Sequence, residues 1–382
     1  MPAPSRFQLS DEELAIVAYA RRVGEESLEP IARAGEEGRV NRDLVRALAT
    51  HGFLSRVEPE RPVAGGGPSA LELCLVREGL AGGCTEAETA FALQGLGSHP
   101  ILASGSPELI ERFAGPVLRG EAVAAFALTE PSVGSDAGAL RLEAVRDGGA
   151  FVLSGEKAWI SNAPDADVVT VFARTKPDAG PKGITAFVVP GDADGLSGEP
   201  IELLGPHPIG RLRFDGVRVP ADHVLGQVDK GFRVALETLD RFRPSVGAAC
   251  VGMAQAALDA ATSYASEREA FGRPIRGFQA VSHRLAEMAT RVEAARLLVY
   301  RAAAALDAGE RATKGAAMAK LFATEVAQLA IDVAIQVHGA VALERGHLLE
   351  RLYREVRATR IYEGTSEIQR EIIARELFER RG

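Results

Sequence analysis

Between Val123 and Gly226 the apolar residues change from the three-to-four spacing of helices to a period of two, and after Gly231 they change back. The middle stretch holds the β-branched runs Val168-Val169-Thr170-Val171-Phe172 and Ile184-Thr185-Ala186-Phe187-Val188-Val189, with Leu212-Arg213-Phe214 further on. Turn signals at Asp147-Gly148-Gly149 and Asp215-Gly216 separate them. One strand-rich block between two helical ones predicts a mostly α protein with a middle β domain, built as a small barrel or sandwich. The expected division is an N-terminal helical domain over 1–122, the β domain over 123–228 and a C-terminal helical bundle over 229–382.

The helical parts carry their own punctuation. Ser10 followed by Asp11-Glu12-Glu13 predicts an N-terminal cap for the run Leu14 to Arg22, and Asn41 and Ser69 predict two further starts. Gly52, Gly82 and Gly95 are expected breaks, and the small residues from Thr85 to Gly95 predict close packing. Three long segments follow, Pro244 to Glu267, Val281 to Ala308 and Ala312 to Gly339, whose Ala-rich faces fit closely approaching bundle helices. A last helix is expected after Gly364.

Composition removes several classes of function. Forty-four basic against fifty-two acidic residues give a net charge of −8 with no basic tail, so nucleic acid and anionic membrane are not expected as main partners. Cys74, Cys84 and Cys250 are too few and scattered for a disulfide framework or a zinc site, and are expected as buried thiols in a reducing cytoplasm. Met1 to Asp11 has no apolar signal core, and no stretch approaches the roughly 18 uninterrupted apolar residues of a membrane span; a cytoplasmic protein without a metal is expected. Gly65-Gly66-Gly67 lacks the spacing of a dinucleotide fingerprint or a P-loop, so a nucleotide cofactor would be bound some other way.

Four segments carry candidate chemistry. Ala127-Leu128-Thr129-Glu130-Pro131-Ser132-Val133-Gly134-Ser135-Asp136 offers hydroxyls and turn N–H groups to a polar ligand, and reads equally as an exposed turn. Gly155-Glu156-Lys157-Ala158-Trp159-Ile160-Ser161-Asn162-Ala163 holds the only tryptophan, which can stack on a flat heterocycle while Ser161 meets its edge; it reads also as a core residue. Arg268-Glu269-Ala270-Phe271-Gly272-Arg273-Pro274-Ile275, then Phe278-Gln279, suits a pyrophosphate and an aromatic base, or is an ordinary inter-helix loop. In Ile361-Tyr362-Glu363-Gly364-Thr365-Ser366-Glu367 a carboxylate stands at the mouth of a loop that opens a helix, though most glutamates are surface charges.

Together and in this order the four segments resemble the acyl-CoA dehydrogenase family over nearly the whole chain. Lys230-Gly231-Phe232, Leu239-Asp240, Arg243-Pro244 and Gln336-Val337-His338-Gly339 add to the resemblance. It implies an N-terminal helical domain, a middle β domain and a C-terminal four-helix bundle, with FAD as cofactor. It implies that Thr129 and Ser135 contact the flavin, that Trp159 flanks its rings and that Ser161 hydrogen-bonds near N5. Arg268, Phe271, Gln279, Gln336 and Gly339 would meet the diphosphate and adenine end, partly across a subunit boundary, with Thr365 and Glu367 near the adenosine diphosphate. Glu363 matches the catalytic base, Arg243 the arginine near it, and Ser135, Asp240 and Arg243 the substrate side. The implied reaction converts an acyl thioester of CoA or acyl carrier protein to its trans-2-enoyl form; a flavin oxidase or a non-catalytic flavoprotein on the same scaffold is the alternative. An electron-transfer flavoprotein or similar acceptor and a homotetramer are the implied partners.

Three departures stand beside the match. Ala340 follows Gly339 where the family has a second glycine; Gly205-Pro206-His207-Pro208-Ile209-Gly210 lacks the usual Arg-x-Ser; and Glu88 and Ala92 lie where the family lines the far end of its acyl pocket. The last points to a polar or short acyl group.

Overall fold

A computed structural model describes residues 9–58 and 68–378; residues 1–8 and Gly65-Gly66-Gly67 lie outside the described residues. Helices run in the order α1 (Asp11–Val23), α2 (Glu29–Arg33), α3 (Arg42–Thr50), α4 (Ala70–Gly83), α5 (Thr85–Ser104), α6 (Pro107–Leu109), α7 (Gly115–Leu118), α8 (Gly231–Glu267), α9 (Gln279–Asp307), α10 (Thr313–His338), α11 (Leu348–Thr359) and α12 (Ser366–Phe378). Strands β1 (Ala124–Ala127), β2 (Glu143–Asp147), β3 (Ala150–Ser161), β4 (Val168–Arg174), β5 (Ile184–Pro190), β6 (Leu196–Pro200), β7 (Ile209–Pro220) and β8 (Val224–Leu225) lie between α7 and α8, and β9 (Glu269–Ala270) and β10 (Arg273–Pro274) between α8 and α9. The chain forms two compact units: a helical one of residues up to 29, 69–88 and from 242, and a mixed one of 30–68 and 89–241.

In the helical unit the predicted caps form. Glu13 N–H donates to Ser10 Oγ at 3.3 Å while Ser10 N–H donates to the Glu13 carboxylate at 2.6 Å, the reciprocal box its spacing implies. Ser69 caps α4 through Glu72 N–H, and Asp307 accepts from the Ser69 hydroxyl and from Ala70 N–H, placing a negative charge on the helix's positive end. The core is made of small side chains, among them Ala249, Ala257 and Ala261 of α8, Ala295 of α9, and Ala323, Ala327 and Ala330 of α10. Small faces let axes approach: a Cβ on Gly252 of α8 would stand 2.2 Å from the Glu78 carbonyl of α4.

Two expectations are corrected. The first bundle helix begins at Gly231 and carries Pro244 in its interior, so that proline marks no helix start. Gly82 stands next to the last residue of α4, beside its expected break, but Gly95 lies inside α5; a helical glycine costs about 1 kcal/mol relative to alanine, an amount tertiary burial outweighs. Gly52, by contrast, does stop α3, at φ +77°. By length and composition the stretch Thr313–Leu343, which contains α10, reaches the apolarity of a membrane span, while α10 packs against α9, α11 and α12 inside the unit.

In the mixed unit the strands join one mixed sheet in the order β6-β7-β3-β2-β4-β5-β8, with β1 parallel to β4. Within the sheet β2 meets β4 through Glu143 and Arg174 alone. Its two halves enclose a core in which Phe151 of β3 meets Phe187 of β5 at 5.2 Å, with Leu212, Phe214 and Val217 of β7. The alternate residues of β4, Val168 and Phe172, face a second core with Ile101 of α5, Phe113 and Val117, which is why β4 reads as an unbroken apolar run.

Candidate active site

Two of the four motif segments are knitted together in the mixed unit. Ala158 N–H donates to the Thr129 carbonyl at 3.0 Å, which joins the Thr129 turn to the Trp159 strand. Beneath the junction Lys157, fully buried, donates to Leu128 O and to Glu130 Oε1, both at 2.9 Å. Glu130 in turn accepts from Arg141 N–H and Leu142 N–H. Burial pushes the Lys157 ammonium down to about 8 against the pull of Glu130. Above this clamp Trp159 sits at φ +54° with its residue 48 % exposed, so the indole is not the core residue of the alternative reading. Left-handed backbone at a non-glycine costs roughly 1–2 kcal/mol and persists where the surroundings over-determine it. Ser161 Oγ lies 2.7 Å from His207 Nε2, so the stretch that departs from the family pattern supplies a partner to Ser161. Burial lowers His207 to about 4, leaving a neutral ring near pH 7. Ser135 is exposed, and Asp240 half-buried, in this same unit.

The helical unit holds the other two segments. The Arg268–Ile275 stretch is a two-stranded hairpin, β9 with β10, whose tip presents Phe271 at φ +52° and 96 % exposed. Arg273 lies over the Phe278 ring at 4.2 Å, and Arg268, Gln279 and Gln336 are exposed. Tyr264 stacks on His338 at 4.3 Å, bringing the end of α8 that leads to Arg268 beside the end of α10 that carries Gln336 and Gly339, the latter at φ +70°. His338 is therefore a packing residue.

Glu363 stands between α11 and α12 at φ +51°, followed by Gly364 at φ +93°. Thr365 caps α12 by accepting from Ile368 N–H at 3.3 Å, and Glu367 is exposed in its first turn. The Glu363 carboxylate is no surface charge: Oε2 is buried and has no hydrogen-bond partner. Burial raises its pKa, opposed by Arg77, Lys320 and Arg243 and assisted by Glu88. Arg77 and Glu88 form a buried ion pair, and Arg77 Nη1 donates to Ser245 Oγ at 2.8 Å. The polar lining expected near Glu88 is thus already neutralised within the unit.

The mixed unit offers the exposed Trp159 ring with the hydroxyls of Thr129, Ser135 and Ser161, and the helical unit offers the exposed Phe271 ring with Arg268, Gln279 and Gln336; each set by itself is of a kind that suits part of a flavin dinucleotide. Among the described residues one possible metal-donor group, Glu29, Cys84 and Glu86, lies within 4.8 Å, but Arg351 holds Glu29 at 2.7 Å and burial pushes the Cys84 thiol up. Three arginines on or next to α11 are used inside the unit: Arg351 on Glu29, Arg354 on Glu350 and Arg360 on Glu325.

Family models for the acyl-CoA dehydrogenase N-terminal, middle and C-terminal domains match residues 10–121, 125–217 and 229–378. The chain belongs to the acyl-CoA dehydrogenase family. It has the three-domain fold of this family of FAD-binding oxidoreductases, which act on CH–CH groups. It is 39% identical to the 3-(aryl)acrylate reductase of Clostridium sporogenes, over 97% of this chain and 99% of that protein. It is 40% identical to the mitochondrial short-chain specific acyl-CoA dehydrogenase of Bos taurus, over 94% and 88%. The solved butyryl-CoA dehydrogenase of Megasphaera elsdenii superposes with a TM-score of 0.90 at 33% identity, covering 97% of this chain and 99% of that one.

In this family member the sequence reading missed Lys157 with Glu130, Arg77, Lys320, Gln369 and His207. Lys320 had a local signal, a lone charge inside the apolar run Ala316-Ala317-Met318-Ala319-Lys320-Leu321-Phe322. Arg77 and Gln369 had none, since their importance comes from neighbours remote in sequence.

Proposed function

We propose that the chain catalyses FAD-dependent α,β-dehydrogenation of an acyl thioester, with Glu363 as the base that removes the α-proton. One observation carries this reading: a buried carboxylate oxygen without a hydrogen-bond partner, held at left-handed backbone amid three cationic side chains. Burial makes Glu363 more basic than a surface glutamate, while Arg77, Lys320 and Arg243 keep it from being protonated outright. The backbone N–H of Glu363 is the proposed donor to the thioester carbonyl, meeting negative charge as the α-proton leaves. Trp159, Thr129, Ser135 and Ser161 would hold the flavin rings, and Arg268, Phe271, Gln279, Gln336, Gly339, Thr365 and Glu367 the dinucleotide end, with Asp240 and Arg243 on the substrate side. When bound, FAD supplies the acceptor for the β-hydride.

An electron-transfer protein is the proposed reoxidant. The proposed assembly is a homotetramer, supported by the exposed Phe271, Leu343 and Ile361 of the helical unit. The likeness to a reductase favours a second reading in which the same residues run the reaction toward the saturated acyl group. The test is a panel of acyl and enoyl thioesters of CoA and acyl carrier protein with the FAD-reconstituted protein. Anaerobic bleaching of the flavin by an acyl thioester supports dehydrogenation; reoxidation of chemically reduced flavin by an enoyl thioester alone supports the reverse direction. No response to either class overturns the proposal, and fast reoxidation by oxygen marks an oxidase.

A further inference from the structure

We infer that Lys320 is a positioning residue for Glu363, holding the shape of its loop and the ionised state of its carboxylate together. The inference rests on the reading of Glu363 as the base and adds a residue to it.

Lys320 lies on α10 among buried alanines and is 0 % exposed. A buried ammonium stabilises a core less than an apolar side chain of the same volume, so its presence asks for another account. Its Nζ donates to the carbonyl of Gly364 at 2.8 Å, the peptide that follows Glu363. Gln369, also fully buried, donates Nε2 to the same carbonyl at 2.9 Å. A Cβ on Gly364 would stand 2.6 Å from that Nε2, so only glycine lets the amide in. Two buried donors from different helices thus converge on one carbonyl, just where two consecutive residues take positive φ. Backbone held this way in a sparsely populated region is over-determined by its surroundings.

The charge acts on the same residue. Facing Glu363 are Arg77 from α4, Lys320 from α10, Arg243 from α8, Glu88 from α5 and the neighbouring Tyr362. Facing Lys320 are Cys250 and Arg243 from α8, Glu363 itself, and Glu325 on its own helix. Arg77 directs its donors to Glu88 and Ser245, whereas Lys320 is bonded to the base loop. Burial lowers Lys320 to about 8, so it is cationic near neutrality. Above that pH it loses charge while the amine still donates. The loop tether therefore persists at alkaline pH, and the electrostatic support matters on the acid side, where Glu363 is to be kept unprotonated.

The test compares Lys320→Gln, which keeps an N–H donor without charge, with Lys320→Met, which removes both, in full-length protein reconstituted with FAD. Two quantities are read across pH: the rate of flavin reduction by an active thioester, and Glu363 protonation by difference infrared spectroscopy, assigned with Glu363→Gln. Lys320→Gln should raise the acid limb and the infrared titration together by about one pH unit, a roughly tenfold loss of rate on the acid side, with the alkaline plateau retained. Lys320→Met should add a fall of the plateau at unchanged FAD content. Gln369→Met, which removes the second donor and no charge, should lower the plateau with the acid limb unmoved, and it decides the matter if both Lys320 variants fail to fold. Coincidence of Lys320→Gln with wild type in both readouts overturns the inference, as does a Gln369→Met protein with an unchanged plateau or a shifted acid limb. Glu363→Gln separates the two layers: wild-type reduction there removes the base reading itself, whereas loss there with an unmoved Lys320→Gln removes only the role of Lys320.

Discussion

In the proposed reaction the chemistry at Glu363 reduces to whether one oxygen is protonated. Glu363→Gln keeps volume and shape but removes the proton acceptor, so it should retain FAD and slow flavin reduction by about a hundred- to ten-thousand-fold, read by stopped flow. A rate within a few-fold of wild type would mean another base. The sign of the pH effect follows from the raised pKa: the proposed base acts as the carboxylate, so the wild-type rate should fall as pH drops through a value above the ordinary glutamate range. The buried Lys157–Glu130 pair sets a second residue-scale expectation. Glu130→Leu leaves an uncompensated ammonium and two orphaned N–H groups under the Thr129 turn, and should cost about 3–5 kcal/mol in urea unfolding. A cost under about 1 kcal/mol would show that Lys157 finds another partner or loses its proton.

Helix packing sets what elements tolerate. Gly252 of α8 lies against the Glu78 carbonyl, and the Glu78 side chain is fixed by Tyr300 Oη at 2.6 Å and Arg296 Nε at 2.8 Å, so the neighbour cannot retreat. Gly252→Ala should therefore destabilise by about 1–3 kcal/mol, despite alanine's better helix propensity, seen as a lower denaturation midpoint. On α11, burial and then Glu86 push the Glu355 carboxyl up to about 7, against Arg354 and Arg351. The folded state binds that proton more tightly than the unfolded one. Its contribution is present below the ordinary glutamate value of 4.5 and is lost as pH rises through about 7. Glu355→Gln should flatten this loss, so that its melting temperature exceeds wild type above about pH 7 and converges with it on the acid side. Parallel melting curves across pH would place the titration elsewhere.

For the whole molecule the expectations are colour and assembly. The reconstituted protein should be yellow with FAD, and light scattering should give a tetramer, since the exposed Phe271 and the apolar residues of the helical unit are proposed to be covered by other copies. Phe271→Asp should shift the mass distribution toward smaller species or release FAD more readily. A monomer that holds FAD tightly would remove the assembly reading.

Local pattern made much of this legible. The helical, strand and helical order is written in residues two to four apart, so periodicity alone located the β block, and the Ser10, Asn41 and Ser69 caps formed because a cap needs only its own first turn. The Glu363 loop also announced itself through Gly364 and the Thr365 cap. What surrounds the carboxylate did not. Arg77, Arg243 and Lys320 come from three helices far apart in the chain, and Coulomb energy depends on distance in space, of which sequence separation is no measure. Gly95 likewise reads as a break by propensity and is overruled by burial, and Pro244 sits inside a helix whose start is set elsewhere. The sequence by itself determined which elements form and which loop carries the acid; only the tertiary structure decided which charges face that acid, because only folding brings them within reach of it.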